Sequence, residues 1–425
     1  MAHPYYFLCP ICFREDTLSR ERCRGCETPF RIDAEGLWMA RRCWPPQQYR
    51  REVLDTALVL EARRPDAPTV LRRSGPARLF SLSTPVDMTG FRRWFHRRLY
   101  GPHPTGRGYL DIERDRLVFR QADGRSRSWH PDAVTAITTN SHYLLMTFRG
   151  DGAYQVAFER ESALKYEILL RRWISERRRR NGTPPLLEFQ PRLRHQPSRP
   201  PRQPLALAPP RPAPPDPLWE RFAMGGVALL VRLLSRSRAT VTVHGREHWD
   251  DAGRGFVIAN HQSAVDPFLI GAFIDRRTAF LTKSLSFAHT LPRGFLRLAR
   301  GLPTTRWQSD PAVIAIVRRV LSHGVKVGIF PEGERTWSGE LLPFRLSVVK
   351  LLMAAREPIT LVAVCGAFGL WPRWAARPRP ARVALVVCPS FCLLAAPWTV
   401  DEQRRWLEER FQSLIDAHTP ESLSA

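Results

Sequence analysis

The chain has 425 residues, with 65 Lys plus Arg against 40 Asp plus Glu and a formal net charge of +25. That length predicts two to four domains, and the charge predicts anionic partners: a membrane surface, a phosphate-bearing substrate or nucleic acid. No run of 18 uncharged apolar residues occurs, so no membrane-spanning helix is predicted; the best stretch, Phe222 to Leu234, is short and broken by Arg232. The N-terminus lacks a charged segment followed by an apolar one, so no signal peptide is expected. A cytoplasmic chain with peripheral membrane attachment is the expectation. The eight Cys do not change it, because four of them sit in metal-ligand spacing rather than in a disulfide framework.

Those four organise residues 1–36. Cys9-Pro10-Ile11-Cys12 and Cys23-Arg24-Gly25-Cys26 are two C-x2-C pairs ten residues apart. Such pairs set four thiolates tetrahedrally around one zinc, and Pro10 and Gly25 suit the tight turns that present two sulfurs from one knuckle. So short a segment has little apolar core, so a structural Zn2+ would supply much of its folding free energy. The segment resembles a zinc ribbon.

Within residues 40–180, a helix is expected over Gln47–Arg63, with Val53, Leu54, Ala57, Leu58 and Leu60 as its apolar positions. The period then changes. Tyr109–Ile112, Arg116–Arg120, Ala133–Thr139, Tyr143–Phe148 and Tyr154–Phe158 are short, β-branched and aromatic, and Asp123-Gly124 and Gly150-Asp151-Gly152 separate them as turns. A helix from Glu161 to Arg178 follows, with Leu164, Ile168, Leu169, Trp173 and Ile174 on one face. Antiparallel strands closed by one C-terminal helix resemble a pleckstrin-homology or GRAM-type barrel, which would bind lipid headgroups or protein. A purely structural β domain fits the pattern equally. The run Arg177-Arg178-Arg179-Arg180 reads first as a solvated helix end. Residues 181–217 carry 13 Pro in 37 positions and read as an extended linker.

Residues 218–425 alternate strand and helix. After a first helix, Leu218–Leu234, come Val241–Val243, Gly255–Ala259, a helix from Pro267, Thr278–Leu281, a helix over Asp310–Leu321, Val325–Phe330, a helix over Val348–Ala355 and Ile359–Val364. This alternation predicts an α/β domain with a largely parallel sheet.

The chemistry concentrates in that domain. Phe256-Val257-Ile258-Ala259 is a buried-strand signal, so Asn260 and His261 lie just past a strand's C-terminal end, where open α/β sheets bind ligands. Asp266-Pro267 reads as a helix N-cap followed by Pro at the first helical position. A loop entering a helix brings the two side chains together, so that His261 takes a proton from an acceptor hydroxyl while Asp266 orients the ring. The bland alternative is a loop His beside an ordinary N-cap Asp. Downstream, Pro331-Glu332-Gly333 turns sharply after a strand, and Gly333 admits close backbone approach to a ligand. Arg335 is placed to hold a phosphate or carboxylate. Lys283 and Arg306 each follow a short extended run, and three cations near one sheet end look like an anion site.

In this order, the segments resemble the glycerolipid acyltransferase family that includes lysophosphatidic acid acyltransferases. Asn260-His261 through Asp266 matches its His-x4-Asp block, Arg306 the Arg of its second block, and Phe330-Pro331-Glu332-Gly333 with Arg335 its third. Gly339 to Arg345 resembles the following segment, and Leu361-Val362-Ala363-Val364 the fourth block. The resemblance implies an acyl-CoA or acyl-carrier-protein donor, a lysophospholipid-like acceptor and direct transfer in phospholipid biosynthesis or remodelling. It assigns the base to His261, phosphate binding to Arg306 and Arg335, and shaping of the acceptor site to Glu332 and Gly333. Three positions depart from the family: Glu334 replaces the usual Thr, Ala363 the usual Pro, and Ser347-Val348 the usual Gly-Ala. The competing expectation is a non-catalytic membrane- or protein-binding adaptor that keeps the fold. Nucleic acid is not expected as a partner, because no basic-aromatic strand or recognition-helix pattern accompanies the charge.

Overall fold

The computed structural model describes residues 3–19, 21–33, 35–58, 70–140, 142–182, 218–249, 253–288, 290–305, 310–393 and 399–419. Backbone packing separates two units: Met1–Pro85 with Tyr100–Phe189, and Val86–Leu99 with Gln190–Ala425. The predicted linker falls almost wholly outside the described residues.

In the first unit, β1 (Leu18–Ser19) pairs with β2 (Arg22–Cys23), and β3 (Phe30–Ile32), β4 (Leu37–Met39) and β5 (Arg42–Trp44) form a three-stranded sheet. The helix expected over Gln47–Arg63 is shorter and irregular. It runs as α1 (Pro46–Tyr49), a π-helical turn over Arg50–Leu54 and α2 (Asp55–Ala57), and Leu58 is extended; its expected last turn lies outside the described residues. The larger sheet holds β6 (Val70–Arg73), β7 (Ala77–Thr89), β8 (His96–Glu113), β9 (Leu117–Gln121), β10 (Ser126–Trp129), β11 (Val134–Thr139), β12 (Tyr143–Phe148) and β13 (Gly152–Phe158). Their order is β10-β9-β8-β7-β13-β12-β11, with β6 on β8. Helix α3 (Ala163–Arg180) buries Leu164, Ile168, Leu169, Trp173 and Ile174, and packs on β11 and β12. The expected barrel is not closed by these pairings: among the described residues β10 pairs only with β9 and β11 only with β12. Only Trp129 of β10 is buried, which leaves that strand little apolar surface to close against.

The second unit contains a seven-stranded sheet of β14 (Ala239–His244), β15 (Phe256–Ala259), β16 (Ala279–Lys283), β17 (Leu302–Thr304), β18 (Val327–Ile329), β19 (Ile359–Cys365) and β20 (Ala381–Val387), in the order β14-β20-β19-β15-β18-β16-β17. The strands from β19 to β17 in that order run parallel; β20 is antiparallel to β19, and β14 is parallel to β20. The central strands β15, β18 and β19 are buried on both faces, whereas edge strand β14 exposes Thr240, Thr242 and His244. Phe256, Ile258, Ile359, Leu361 and Ala363 share one core with α7 (Pro311–Ser322), α8 (Leu346–Ala355) and α10 (Val400–His418). Val257, Ala259, Val362 and Val364 face α5 (Asp266–Phe273) and α9 (Ala367–Leu370) in a second core. Helix α4 (Leu218–Arg236) packs on α5, while α6 (Thr290–Leu298) precedes β17.

The first core also takes in Met88, Phe91, Phe95 and Leu99, from the ends of β7 and β8 and the turn between them. Each is at most 9% exposed, and burial of one such side chain contributes about 1.5–3 kcal/mol. Val86–Leu99 is therefore an integral part of the second unit's interior, although the sequence reading groups it with the preceding β-rich segment.

Candidate active site

The site forms where parallel strands end. All four residues of β15 are buried, and Asn260 extends its pairing by one step. Its Nδ2 donates to Val364 O at 2.9 Å, and Val364 N donates to its Oδ1 at 2.7 Å. This fixes the point at which His261 leaves the sheet. The His261 ring stacks on Phe330 with centroids 4.0 Å apart, and Phe330 stacks in turn on Phe280.

His261 Nδ1 lies 2.9 Å from Asp266 Oδ2, so the loop brings together two side chains that a regular helix would splay. Asp266 is fully buried, and Ser263 N–H donates to the same Oδ2 at 2.7 Å. The expected N-cap role is not what the structure gives Asp266. Val265 is the cap residue, its carbonyl accepting from Phe268 and Leu269 N–H, and the Asp266 carboxylate turns back to the preceding loop. Burial pushes the Asp266 carboxyl up to about 8, against the pull of the Ser263 and Gln262 N–H groups and of the Arg335 charge.

That shift has a testable sign. A carboxyl whose folded-state pKa exceeds its unfolded value of 3.8 binds its proton more tightly in the folded chain, so its stabilising contribution is lost as pH rises from there through about 8. Asp266→Asn removes this dependence. Its amide oxygen accepts where Oδ2 does, and its NH2 occupies the place of Oδ1, a buried oxygen with no hydrogen-bond partner. The variant is expected to melt at or above the wild-type temperature, with a margin that widens between pH 5 and pH 8 by the linkage above. Melting curves across that range check it; a margin that narrows with pH contradicts it.

The second loop leaves β18 at Phe330. Glu332 is buried, and both its carboxylate oxygens are used inside the protein: Oε1 accepts from His261 N–H at 2.6 Å and Oε2 from Leu342 N–H at 3.0 Å. Burial and the nearby Asp266 and Glu334 push its pKa well up. Thr336 N–H donates to His261 O, a further tie between the loops. Gly333 has φ +76°, and a Cβ there would collide with the Arg345 guanidinium, whose Nε donates to Glu332 O at 3.1 Å. Glycine is required on both counts.

Arg335 is close enough for its charge to act on Asp266. Glu334, the departure that sets a negative charge in this loop, meets Arg373. The Arg373 Nη1 lies 3.0 Å from both Glu334 Oε2 and Arg335 O, and its guanidinium sits 4.2 Å from the Trp337 ring centroid. No sequence pattern singles out Arg373, which follows α9; Arg345 closes the segment from Gly339. Lys283 ends β16, two strands from β15, half-buried at the same sheet edge. Arg306 lies outside the described residues, two positions beyond β17.

Residues 240–365 match a family model described as acyltransferase. This part of the chain is an acyltransferase-family domain. The match spans β14 to β19 and hence His261, Asp266, Lys283, Glu332, Gly333 and Arg335. The domain is also similar to proteins named 1-acyl-sn-glycerol-3-phosphate acyltransferase. One from Cocos nucifera is 28% identical over 185 residues, covering 43% of this chain and 58% of that one. One from Bacillus subtilis is 28% identical over 138 residues, covering 32% and 68%. The chain thus spans less than two thirds of the coconut relative it matches. Among solved structures, the 1-acyl-sn-glycerophosphate acyltransferase PlsC of Thermotoga maritima aligns at a TM-score of 0.42 and 20% identity, over 48% of this chain and 82% of that one.

Away from the acyltransferase-family domain, the Sγ atoms of Cys9, Cys12, Cys23 and Cys26 all lie within 4.8 Å of one another. The Cys9–Cys26 and Cys12–Cys23 separations are 3.8 and 3.7 Å. Zinc–sulfur bonds of about 2.3 Å in a tetrahedron put sulfurs about 3.8 Å apart, so the residues fit that ion. The two knuckles repeat one geometry. Phe13 N–H donates to Cys9 O and Glu27 N–H to Cys23 O, both at 2.9 Å, and both donors have positive φ.

Proposed function

We propose that the chain is an O-acyltransferase that moves a fatty acyl group from acyl-CoA or acyl-carrier protein to a hydroxyl of a lysophospholipid-like acceptor. The observation that carries this reading is the buried Asp266 carboxylate on His261 Nδ1, at the C-terminal edge of a parallel sheet within the acyltransferase-family domain. With Nδ1 committed to Asp266, Nε2 takes the proton from the acceptor hydroxyl. The oxygen attacks the donor's thioester carbonyl, the carbon–sulfur bond breaks, and the departing thiolate takes the proton back from the imidazolium. Asp266 holds the ring orientation and stabilises the imidazolium. Glu332 shapes the site by holding the His261 loop to the Leu342 segment. Arg335, Arg306 and Lys283 supply positive charge for the acceptor's anion, and Arg373 keeps Glu334 from opposing it. Cys9, Cys12, Cys23 and Cys26 hold one structural zinc, which locks the two knuckles.

No helix among the described residues is long and apolar enough to cross a membrane. Helix α4 instead exposes Leu218, Phe222, Leu229, Leu230 and Leu233, with Phe222 77% exposed, and such a face suits insertion into a lipid surface. The full chain is therefore expected to bind vesicles containing anionic lipid, and to bind them less at high salt. Binding indifferent to both lipid charge and salt would contradict the electrostatic part of this reading. The function itself is tested by lipid profiles of cells carrying the wild-type chain or His261→Ala. One lysophospholipid class should fall and its acylated product rise with the wild type alone; identical profiles would favour the adaptor reading.

A further inference from the structure

The His261 loop is held from two directions. On one, His261 N–H donates to Glu332 Oε1 at 2.6 Å, and His261 O accepts from Thr336 N–H at 3.0 Å. On the other, Gln262 Oε1 accepts from Phe368 N–H at 3.2 Å, and Ser263 Oγ donates to Trp371 O at 2.9 Å. Arg373 joins these two supports to each other. Its Nη1 donates to Arg335 O and to Glu334 Oε2, both at 3.0 Å, and its guanidinium lies over the Trp337 ring. The local chain aims it there. Trp371 Nε1 donates to Ala375 O and Ala375 N–H to Pro372 O, both at 3.0 Å, so Arg373 sits within a closed turn. The Arg373 side chain is 4% exposed and that of Glu334 17%, which shields the pair from salt.

We infer that Arg373 is a positioning residue for acceptor recognition: it holds the peptide that carries Arg335 and keeps the Glu334 carboxylate off the Arg335 guanidinium. This rests on the acyltransferase reading above. In 1-acyl-sn-glycerol 3-phosphate the free hydroxyl and the phosphate sit on neighbouring carbons. A base at His261 and a cation at Arg335 must therefore be fixed relative to each other, and small misplacements are costly. The ring of contacts supplies that. Arg335 adjoins Thr336, whose N–H is on His261 O, and its charge reaches Asp266. Glu334 would otherwise offer Arg335 an internal carboxylate in competition with the acceptor's phosphate. One nitrogen of the Arg373 guanidinium serves the carbonyl and the carboxylate together while its planar face stays on Trp337; a Lys ammonium has no such face.

The test uses the full chain with acyl-CoA as donor and 1-acyl-sn-glycerol 3-phosphate as acceptor. Arg373→Met keeps an apolar stem against Trp337 and removes the fork. It is expected to raise the acceptor KM about tenfold, with kcat and the donor KM within about twofold of wild type. Adding Glu334→Gln to it should bring the acceptor KM back to about threefold above wild type, because the competing carboxylate is gone. In an Arg335→Ala background, Arg373→Met should raise the acceptor KM little further, since both act through one guanidinium. Arg379→Ala is the contrast: it removes a cation stacked 4.7 Å from the nearby Trp374 ring and should leave the acceptor KM unchanged. A folded Arg373→Met enzyme with wild-type acceptor KM overturns the inference and leaves the acyltransferase reading intact. So does an effect of Arg373→Met that persists in full without Arg335, or an equal rise in Arg379→Ala. Should Arg373→Met not fold, a wild-type acceptor KM in Arg373→Met/Glu334→Gln, which strands no charge, overturns it equally. No transfer by the wild type to any lysophospholipid overturns both.

Discussion

His261→Ala is expected to lower acyl transfer by about a hundredfold to ten-thousandfold, the usual cost of losing a general base, while the variant stays folded. The ring's neighbours explain both halves. Its Nδ1 is held by a fully buried carboxylate and its face by Phe330, so its orientation is set before any substrate arrives. Alanine leaves nothing at Nε2 to accept the hydroxyl proton. The loop itself is fixed through backbone groups that alanine retains: His261 N–H on Glu332 and Thr336 N–H on His261 O. The Asp266 carboxyl left behind keeps the Ser263 N–H as a hydrogen-bond donor. Product formation under saturating substrates, alongside circular dichroism and melting curves, checks the expectation. Near-normal turnover in the variant would remove His261 from the mechanism.

Loss of the zinc site is expected to unfold the N-terminal knuckles and loosen the first unit with them. Structural zinc contributes about 10–16 kcal/mol of apparent binding free energy in small zinc-finger peptides, and within the segment from Cys9 to Cys26 Leu18 is buried while Ile11 and Phe13 are exposed, so the knuckles themselves have little apolar surface to replace it. The coupling to the larger sheet runs through Lys165, whose side chain is 0% exposed. It is paired with Asp16 from the knuckle segment, with Glu161 at 2.6 Å and with Glu15 at 3.4 Å. Displacing Glu15 and Asp16 leaves that buried ammonium with Glu161 alone, and breaking a buried pair costs about 3–5 kcal/mol. Native mass spectrometry of chain purified without chelator should show one zinc, and Cys9→Ser should show none. Hydrogen exchange in the variant should accelerate first over 3–44 and then over α3. A metal-free wild-type chain with full protection in 3–44 would sink the proposal.

The α/β pattern was legible wherever strands are buried on both faces. Phe256–Ala259, Val327–Ile329 and Ile359–Cys365 are near-continuous apolar runs, and turn residues bound them. Helices α6 and α10 and strand β20, which lie beside or beyond the segments carrying the chemistry, were not anticipated from the sequence. The His261–Asp266 contact was readable because a loop entering a helix has few ways to use that spacing. The cap assignment was not, because it depends on whether a carboxylate points forward to the helix or back to Ser263. The Arg373–Glu334 pair joins residues 39 apart with no periodic signal. The hairpin was hidden for a related reason: Met88, Phe91, Phe95 and Leu99 look like ordinary β-segment residues until the chain is folded. The barrel expectation came from strand count and spacing, which do not encode whether edge strands meet.

The most direct measurement gives the purified, zinc-loaded full chain acyl-CoA or acyl-carrier-protein donors together with 1-acyl-sn-glycerol 3-phosphate or other lysophospholipids, and follows the acylated product by mass spectrometry. An acyltransferase with its base at His261 forms that product with at least one donor–acceptor pair, and His261→Ala loses nearly all of it. A folded wild-type chain that forms no ester with any pair, or a His261→Ala chain that forms it at the wild-type rate, would contradict the proposed mechanism.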